Sequence, residues 1–406
     1  ENILNALELA SQYHFSDLLI RGVCLYYPIL KNQGLFDHLK RWLLEVKHIV
    51  EGSNDFSRRL KILLYLTEIH EVHGEYCRAE ETGQEGLQLF ADHHSTDYET
   101  YQAFMVVLAH IEIFRGRYDH ARKYLLQGLN LPEEERNVEQ TCHLFRLMGV
   151  VMDFQSHTQQ AQVYWYKALT LARILGKEDV LIRILGSLGA GLARQELYKE
   201  AKEHLIEGLD LAQKYQYLSE ISNFHLDLGD IAVIHNEYDI AEFHLQKSLL
   251  LAQQLQLQPT LSVALATLGE LELKRGHEQQ AQAYFQEGLV LARQKGNNDY
   301  VGAILSVQAE ILLQKNELEG AKETFFEALR CIPADNTLYI ATARYGLARV
   351  LIALDQRADA IEQATISLLL FQERKSSKAQ EVQAWLEEHN SLPPTNGDQK
   401  TSFSRI

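Results

Sequence analysis

Apolar and small residues recur along most of this chain at helical spacing, and the pattern itself recurs at a fixed interval. In Asn236 to Gln254, NEYDIAEFHLQKSLLLAQQ, the residues Tyr238, Ala241 and Leu249 set an aromatic, a small and an apolar side chain at helical spacing. The same trio stands at Tyr198/Ala201/Leu209, Tyr118/Ala121/Leu129 and Tyr76/Ala79/Leu87, and its last two members at Ala161/Leu169, Ala281/Leu289 and Ala321/Leu329. The interval is forty residues, except for forty-two between Ala79 and Ala121 and thirty-nine between Ala321 and Ala360. A degenerate copy with Phe36 and Leu39 opens the series, which makes nine units. Twelve residues before the small position stand Tyr27, Thr67, Ala109, Gly149, Gly189, Gly229, Gly269, Ala309 and Ala348, seven of the nine being Gly or Ala.

A period of this size means stacked supersecondary units. Two fixed small residues per unit let a first helix cross close to a second, where larger side chains would hold the backbones apart. Each unit is therefore predicted to be a helical hairpin. The predicted pairs are 14–31 with 35–50, 54–73 with 76–91, 97–115 with 118–130, 136–155 with 158–175, and 178–195 with 198–215. They continue as 218–235 with 238–255, 260–275 with 278–295, 299–315 with 318–331, and 336–354 with 357–372. Gly34, Gly74, Gly116, Asn236, Gly276 and Asn316 suit the helix ends inside the pairs, and Gly176, Pro259, Asn297-Asn298 and Pro333 the turns between them. Glu133-Glu134-Glu135-Arg136 reads as a solvated helix start.

The small-x-x-Tyr/Phe-x-x-Ala-x6-Ala/Gly-Leu arrangement resembles the tetratricopeptide repeat over residues 14 to 372. The resemblance implies an all-α, right-handed solenoid with a long concave groove. Units of forty rather than the family's thirty-four residues imply helices longer by about a turn, similar to those of bacterial regulatory sensors and kinesin light chains. The chain then divides into an N-terminal capping helix and junction at 1–13, nine repeats at 14–375, a C-terminal capping helix at 376–390 and a polar, disordered tail at 391–406. The last helix has Ser377-Lys378-Ala379-Gln380 as a capping box and Val382, Trp385 and Leu386 on one face.

The opening carries a second resemblance. Glu1-Asn2, Ala6-Leu7, Ala10, Tyr26-Tyr27, Gly34 and Trp42-Leu43 resemble the junction after the nucleotide-binding and winged-helix parts of signal-transduction ATPases with numerous domains, the NB-ARC-like class. In that family the junction leads into a superhelix of tetratricopeptide-like repeats that acts as a sensor. The resemblance implies an upstream NTPase engine, with this chain a fragment that neither binds nor hydrolyses nucleotide. A first residue of Glu rather than Met agrees with a fragment or a processed product.

Net charge is −16, which argues against a phosphate-tracking surface and hence against nucleic acid. Cys24, Cys77, Cys142 and Cys331 lie far apart without metal or redox spacing and read as small buried thiols in a reducing compartment. With no signal peptide and no apolar run near the length that crosses a bilayer, the expected location is cytoplasmic.

A search for chemistry returns no catalytic set. The only phosphate-loop candidate, Gly176-Lys177, has Leu171 where the first loop glycine belongs and Glu178 in place of Ser/Thr. His70, His73 and Cys77 approach a metal-ligand spacing, but Gly74 replaces the second histidine of a zinc-protease motif and ends the helix before Cys77. Inter-helix packing is the reading adopted, so no enzyme, metal or cofactor is expected.

Function is expected on the inner face, which the first helices line. Offsets of −2, +1 and +4 from the small residue project to one side. They place Asp227, Asp230, Glu270 and Glu310 along the middle of the groove, with His110 upstream. Arg146, Arg183 and Arg194 are its candidate cations, unless they serve in surface ion pairs. Acids stand where the carboxylate clamp of heat-shock co-chaperones needs Lys, Arg or Asn, which disfavours that role. The acidic stripe is either a solvated face or the binding site of a protein or peptide with a basic segment. Two functions remain open: the ligand-sensing domain of a regulatory ATPase, taking a protein, peptide or small inducer, or a free-standing scaffold or peptide receptor.

Overall fold

The computed structural model describes residues 2–52 and 55–390; the tail expected at 391–406 lies outside the described residues. Among the described residues there are twenty α-helices and no strand. Helix α1 (Asn2–Gln12) precedes nine helical hairpins, the first being α2 (Ser16–Asn32) with α3 (Phe36–Glu51) and the second α4 (Phe56–Val72) with α5 (Tyr76–Asp92). Then come α6 (Tyr98–Phe114) with α7 (Tyr118–Leu129), α8 (Val138–Phe154) with α9 (Thr158–Leu175), and α10 (Glu178–Arg194) with α11 (Tyr198–Tyr215). The series closes with α12 (Leu218–Ile234) and α13 (Tyr238–Gln254), α14 (Gln258–Lys274) and α15 (Glu278–Lys295), α16 (Asn298–Gln314) and α17 (Leu318–Cys331), and α18 (Thr337–Ala353) and α19 (Arg357–Glu373). Helix α20 (Lys378–Asn390) follows the last hairpin.

Size complementarity between the two helices holds each hairpin closed. A side chain added at Gly149, Gly189, Gly229 or Gly269 would enter Trp165, Leu205, Leu245 or Phe285, the residue sixteen positions on in the second helix. Where the first helix carries Thr67 instead, Gly83 answers it from the second. The other small position packs hairpin on hairpin: Gly128 lies against Leu144 and Gly208 against Phe224 of the next first helix. Interlocking of this kind excludes water at interior packing density. Among the exposed apolar side chains are Val163, Ile206, Ile240 and Phe243 of the second helices.

The turns inside the hairpins use left-handed backbone. Gly34, Gly74, Gly116 and Gly276 have φ of 73°, 66°, 69° and 83°, and Asn236 and Asn316 have 59° and 60°. Ser156, Glu196 and Asp355 take the same conformation in the fourth, fifth and ninth hairpins, where no residue type signalled it. Three local details differ from the sequence expectation. The run Glu133–Glu135 forms a separate 3-10 turn, and α8 starts only at Val138, capped by Asn137 accepting from the Gln140 N–H at 3.0 Å. Pro259 lies within the first turn of α14, where its missing N–H has no helical partner to lose. At α20, Ser376 rather than Ser377 accepts the Lys378 N–H, at 3.3 Å.

The superhelix is wound tightly enough for its turns to meet along a seam. Gly116, in the third hairpin, abuts Pro333 ahead of the ninth, and Gly34 abuts Leu255. Gln256 donates to Asp37 at 2.9 Å, Ser376 to Glu196 at 2.6 Å, and Arg374 to the Asp153 carbonyl at 2.6 Å, across 219, 180 and 221 residues. Bonds of this span close the groove into a channel.

Candidate functional site

Nearly all of the channel wall comes from first helices. Two cavities of about 380 Å³ and about 520 Å³ share His110, Phe114, Arg146, Arg183, Glu220, Asn223, Pro259 and Thr260 in their walls, so they are two parts of one space. The larger has seven carboxylates in its wall, Glu68, Glu71, Asp97, Glu99, Glu139, Asp179 and Glu220, against four cations, Lys31, Lys61, Arg146 and Arg183. The smaller is rich in aromatic rings, with Phe114, Phe154, Phe224, Tyr300 and Tyr339 around Asp227 and Arg194.

Most of these charges are paired across neighbouring first helices. Glu68 accepts from the Tyr27 hydroxyl at 2.7 Å and from Lys31 at 2.5 Å. Glu71 meets His110 at 2.9 Å, and this partner holds its carboxyl below the usual range against the opposing effect of burial. Arg183 reaches Glu220 at 3.2 Å, Arg194 reaches the fully buried Asp153 at 2.8 Å, and Glu310 meets Arg349 at 2.9 Å. Arg183 and Arg194 are thus ion-paired at the channel wall rather than on the outer surface.

Two groups stand apart from this pairing. Asp227, Asp230 and Glu270 carry no ion pair among the described residues. Burial pushes all three carboxyls up, Asp227 and Glu270 to about 7 with repulsion from Asp230 added, and Asp230 to about 6. Arg194 and Lys274 pull in the other direction without cancelling the effect. The second group is Arg146, whose Nη1 donates to the Ser187 hydroxyl at 3.0 Å and which has no carboxylate within 4.0 Å.

Of the eight residues expected at the groove, His110, Arg146, Arg183, Arg194 and Asp227 line the cavities. Asp230 and Glu270 lie beyond the cavity walls, close enough to feel each other's charge, and Glu310 is committed to Arg349. Sequence reasoning missed Glu220, Asn223, Thr260, Tyr300 and Tyr339, which are also wall residues. They stand six or nine positions before the small residue, so the same stripe followed two turns toward the helix start would have reached them. His70, weighed as a metal ligand, is buried and bonded to Glu75 at 2.6 Å, while Cys77, expected to be buried, is exposed at the start of a second helix and lies 3.3 Å from an Arg115 nitrogen. Of the other thiols Cys142 is buried and Cys24 and Cys331 are half-buried. No group of three or more potential metal ligands occurs among the described residues, and none of their helices is long and apolar enough to cross a membrane.

No protein-family profile matches the chain, and no curated protein matches it in sequence. Solved structures do. A Rap protein complexed with competence and sporulation factor superposes with a TM-score of 0.57 at 14% identity, covering 82% of this chain and 98% of that one. The human IFIT1 dimer with PPP-AAAA gives 0.55 at 15% identity, covering 96% and 86%. A signal transduction ATPase with numerous domains and a tetratricopeptide repeat sensor, from Pyrococcus horikoshii, gives 0.47 at 14% identity, covering 88% of this chain and 55% of that one. That last score is too low to carry an argument. At these identities the likeness shows the fold, a superhelix of tetratricopeptide-like hairpins.

Proposed function

We propose that this chain is a ligand-sensing superhelix that takes a protein segment or peptide into its channel. The observation that carries the reading is the channel wall, which combines aromatic rings with charges of both signs, some of them left without partners. Burying unpaired charge costs stability, and a folded chain retains it where a ligand completes the pairing. The fold likeness to a Rap protein complexed with competence and sporulation factor agrees with such an occupant. A nucleic-acid occupant is disfavoured by the seven carboxylates against four cations in the larger cavity.

In the finer form of the proposal, the superhelix is the sensor of a signal-transduction ATPase whose nucleotide-binding engine lies upstream. The opening forty residues support it. Ligand binding acts as a population shift: an occupant that fits one spacing of the superhelical turns better than another favours that form by the difference in affinity. The polar seam is the element that such a shift would open or close.

The test of the peptide reading is charge reversal of Glu99, Asp179 and Asp227 together, which line the channel wall, followed by binding of a basic peptide library at low salt. Weakened binding by a variant that still folds supports the acidic groove as the recognition surface, and unchanged binding overturns it. The finer form is tested by the intact mass of the endogenous product. A species far above 46.6 kDa that also carries a nucleotide-binding segment supports the sensor. A species near that mass favours a free-standing scaffold or receptor.

A further inference from the structure

Among the described residues no carboxylate stands within 4.0 Å of Arg146, and Glu71 and Glu220 attract its charge only from farther off. The arginine sits in the middle of α8, and its side chain lies in the wall common to both cavities. Each neighbouring acid is already engaged, Glu71 by His110, Glu68 by Tyr27 and Lys31, and Glu220 by Arg183. Nη1 is committed to Ser187, Nε is enclosed without a partner, and Nη2 has no hydrogen bond among the described residues. Nε is sealed from the cavity, so Nη2 is the nitrogen left to reach a ligand's carboxylate through a charge-assisted bond. The adjacent His143 is buried with its Nδ1 unpartnered, and burial, with Arg146 and Arg183 beside it, pushes its imidazole well below the usual range.

The surroundings set the size of the missing charge. With seven carboxylates against four cations in the larger cavity, the wall as a whole repels a polyanion. A single unpaired guanidinium within it suits one negative charge on a ligand that is otherwise neutral or cationic. We infer that Arg146, with Ser187 holding it and Arg183 beside it, is the anion subsite of the channel and takes one carboxylate of a bound peptide. That carboxylate comes from the peptide's C-terminus or from an Asp or Glu side chain. The inference rests on the peptide reading of the channel and adds the chemistry by which one end or one residue of the peptide is registered.

The experiment uses the whole chain and an immobilised random peptide library in three forms: free C-terminus, C-terminal amide, and free C-terminus without Asp or Glu. Wild type, R146Q and R146K are compared, with circular dichroism and melting temperature confirming that each variant folds. R146K keeps the charge and loses the planar guanidinium. Loss of one charge-assisted pair is expected to weaken selected peptides about tenfold to a hundredfold in R146Q and less in R146K. Loss in the amide form identifies the C-terminus, and loss in the form lacking acids identifies a side chain; either supports the subsite. Peptides that bind wild type and R146Q equally overturn the subsite and leave the peptide reading standing. A phosphate-bearing oligonucleotide that displaces the peptides through Arg146 assigns the site to phosphate and overturns the carboxylate. Wild type that retains no peptide in any form overturns the peptide reading and this subsite with it.

Discussion

The Tyr118 hydroxyl donates to Asp299 Oδ2 at 2.9 Å, joining the start of the third hairpin's second helix to the start of the eighth hairpin's first. Asn336 donates to the other oxygen of the same carboxylate at 2.6 Å, so three hairpins meet at one buried acid. Here the superhelix closes on itself. Opening the channel along this line requires that the cluster come apart.

Removing the hydroxyl with Tyr118→Phe leaves the ring stacked on Phe154 but deprives Asp299 of one donor. The expected cost is about 1 to 3 kcal/mol, the penalty for a buried polar group losing its partner. It should appear locally, as faster amide exchange near residues 297–300 and 336–339, with the second hairpin unchanged. Uniform exchange across the chain would mean that the seam is not a separate opening unit.

A harsher seam variant is Asp153→Ala. Asp153 is fully buried and accepts from Arg194 and Gln195, both at 2.8 Å, while Arg374 approaches from across the seam. Deleting the acid leaves Arg194 and Arg374 facing each other uncompensated, a loss of about 3 to 5 kcal/mol. Denaturant unfolding measures it, and a loss below about 1 kcal/mol would contradict the assigned pairing.

Four carboxyls should add stability as pH falls from 8 toward 5, against His143 and His225, which burial holds below the usual imidazole range and which subtract stability over the same interval. Burial lifts the carboxyls of Asp227 and Glu270 to about 7 and those of Asp230 and Asp299 to about 6. The groups facing them are Arg194 for Asp227, Arg194 and Lys274 for Asp230, Lys274 and Lys378 for Glu270, and Tyr118 and Asn336 for Asp299. A folded pKa above the unfolded one means that the native state binds the proton more tightly. The contribution is therefore full below the unfolded value and is lost as pH rises through 6 to 7. Glu75 acts in the opposite sense: held at about 2 by Lys40 and His70 against burial, it loses its contribution only in stronger acid. Asp227→Asn with Glu270→Gln should flatten the slope between pH 5 and 8, by on the order of 1 kcal/mol per carboxyl after screening in an open channel. A double variant whose slope between pH 5 and 8 equals that of wild type would contradict the assignment.

Gly191 and Gly149 hold the Trp165 ring between α10 and α8. A methyl group at Gly191 would fall inside that ring, and Gly191→Ala should cost about 1 to 3 kcal/mol through overpacking. Gly52 is the control. Its added carbon meets nothing within 4 Å and its φ is −83°, so Gly52→Ala bears neither overpacking nor left-handed strain. Similar losses at the two sites would mean that the tryptophan is not gripped as described.

What was legible in the sequence is what repeats. The small residues at Gly149, Gly189, Gly229 and Gly269 mark the close helix crossing because every unit needs it, and the helices follow from that ruler. The seam was not legible. Tyr118 occupies the same repeat position as Tyr198 and Tyr238, yet it alone of these three bonds to an acid 181 residues away, because that depends on the pitch accumulated over five hairpins. The wall was legible in part. Asp227 and His110 emerged from a stripe around the small residue, whereas Tyr300 and Tyr339 needed the stripe extended to the helix start.

The most direct measurement of the central claim is where a bound peptide touches the chain. A photocrosslinking side chain placed at Val150 or Ala190, in the channel wall, is compared with one at Val163 or Tyr166 on the convex surface. The library peptide bound most tightly by wild type is the probe. Crosslinks from Val150 and Ala190 that are absent from Val163 and Tyr166 are the predicted result. Crosslinks confined to the convex positions would contradict the channel as the binding site.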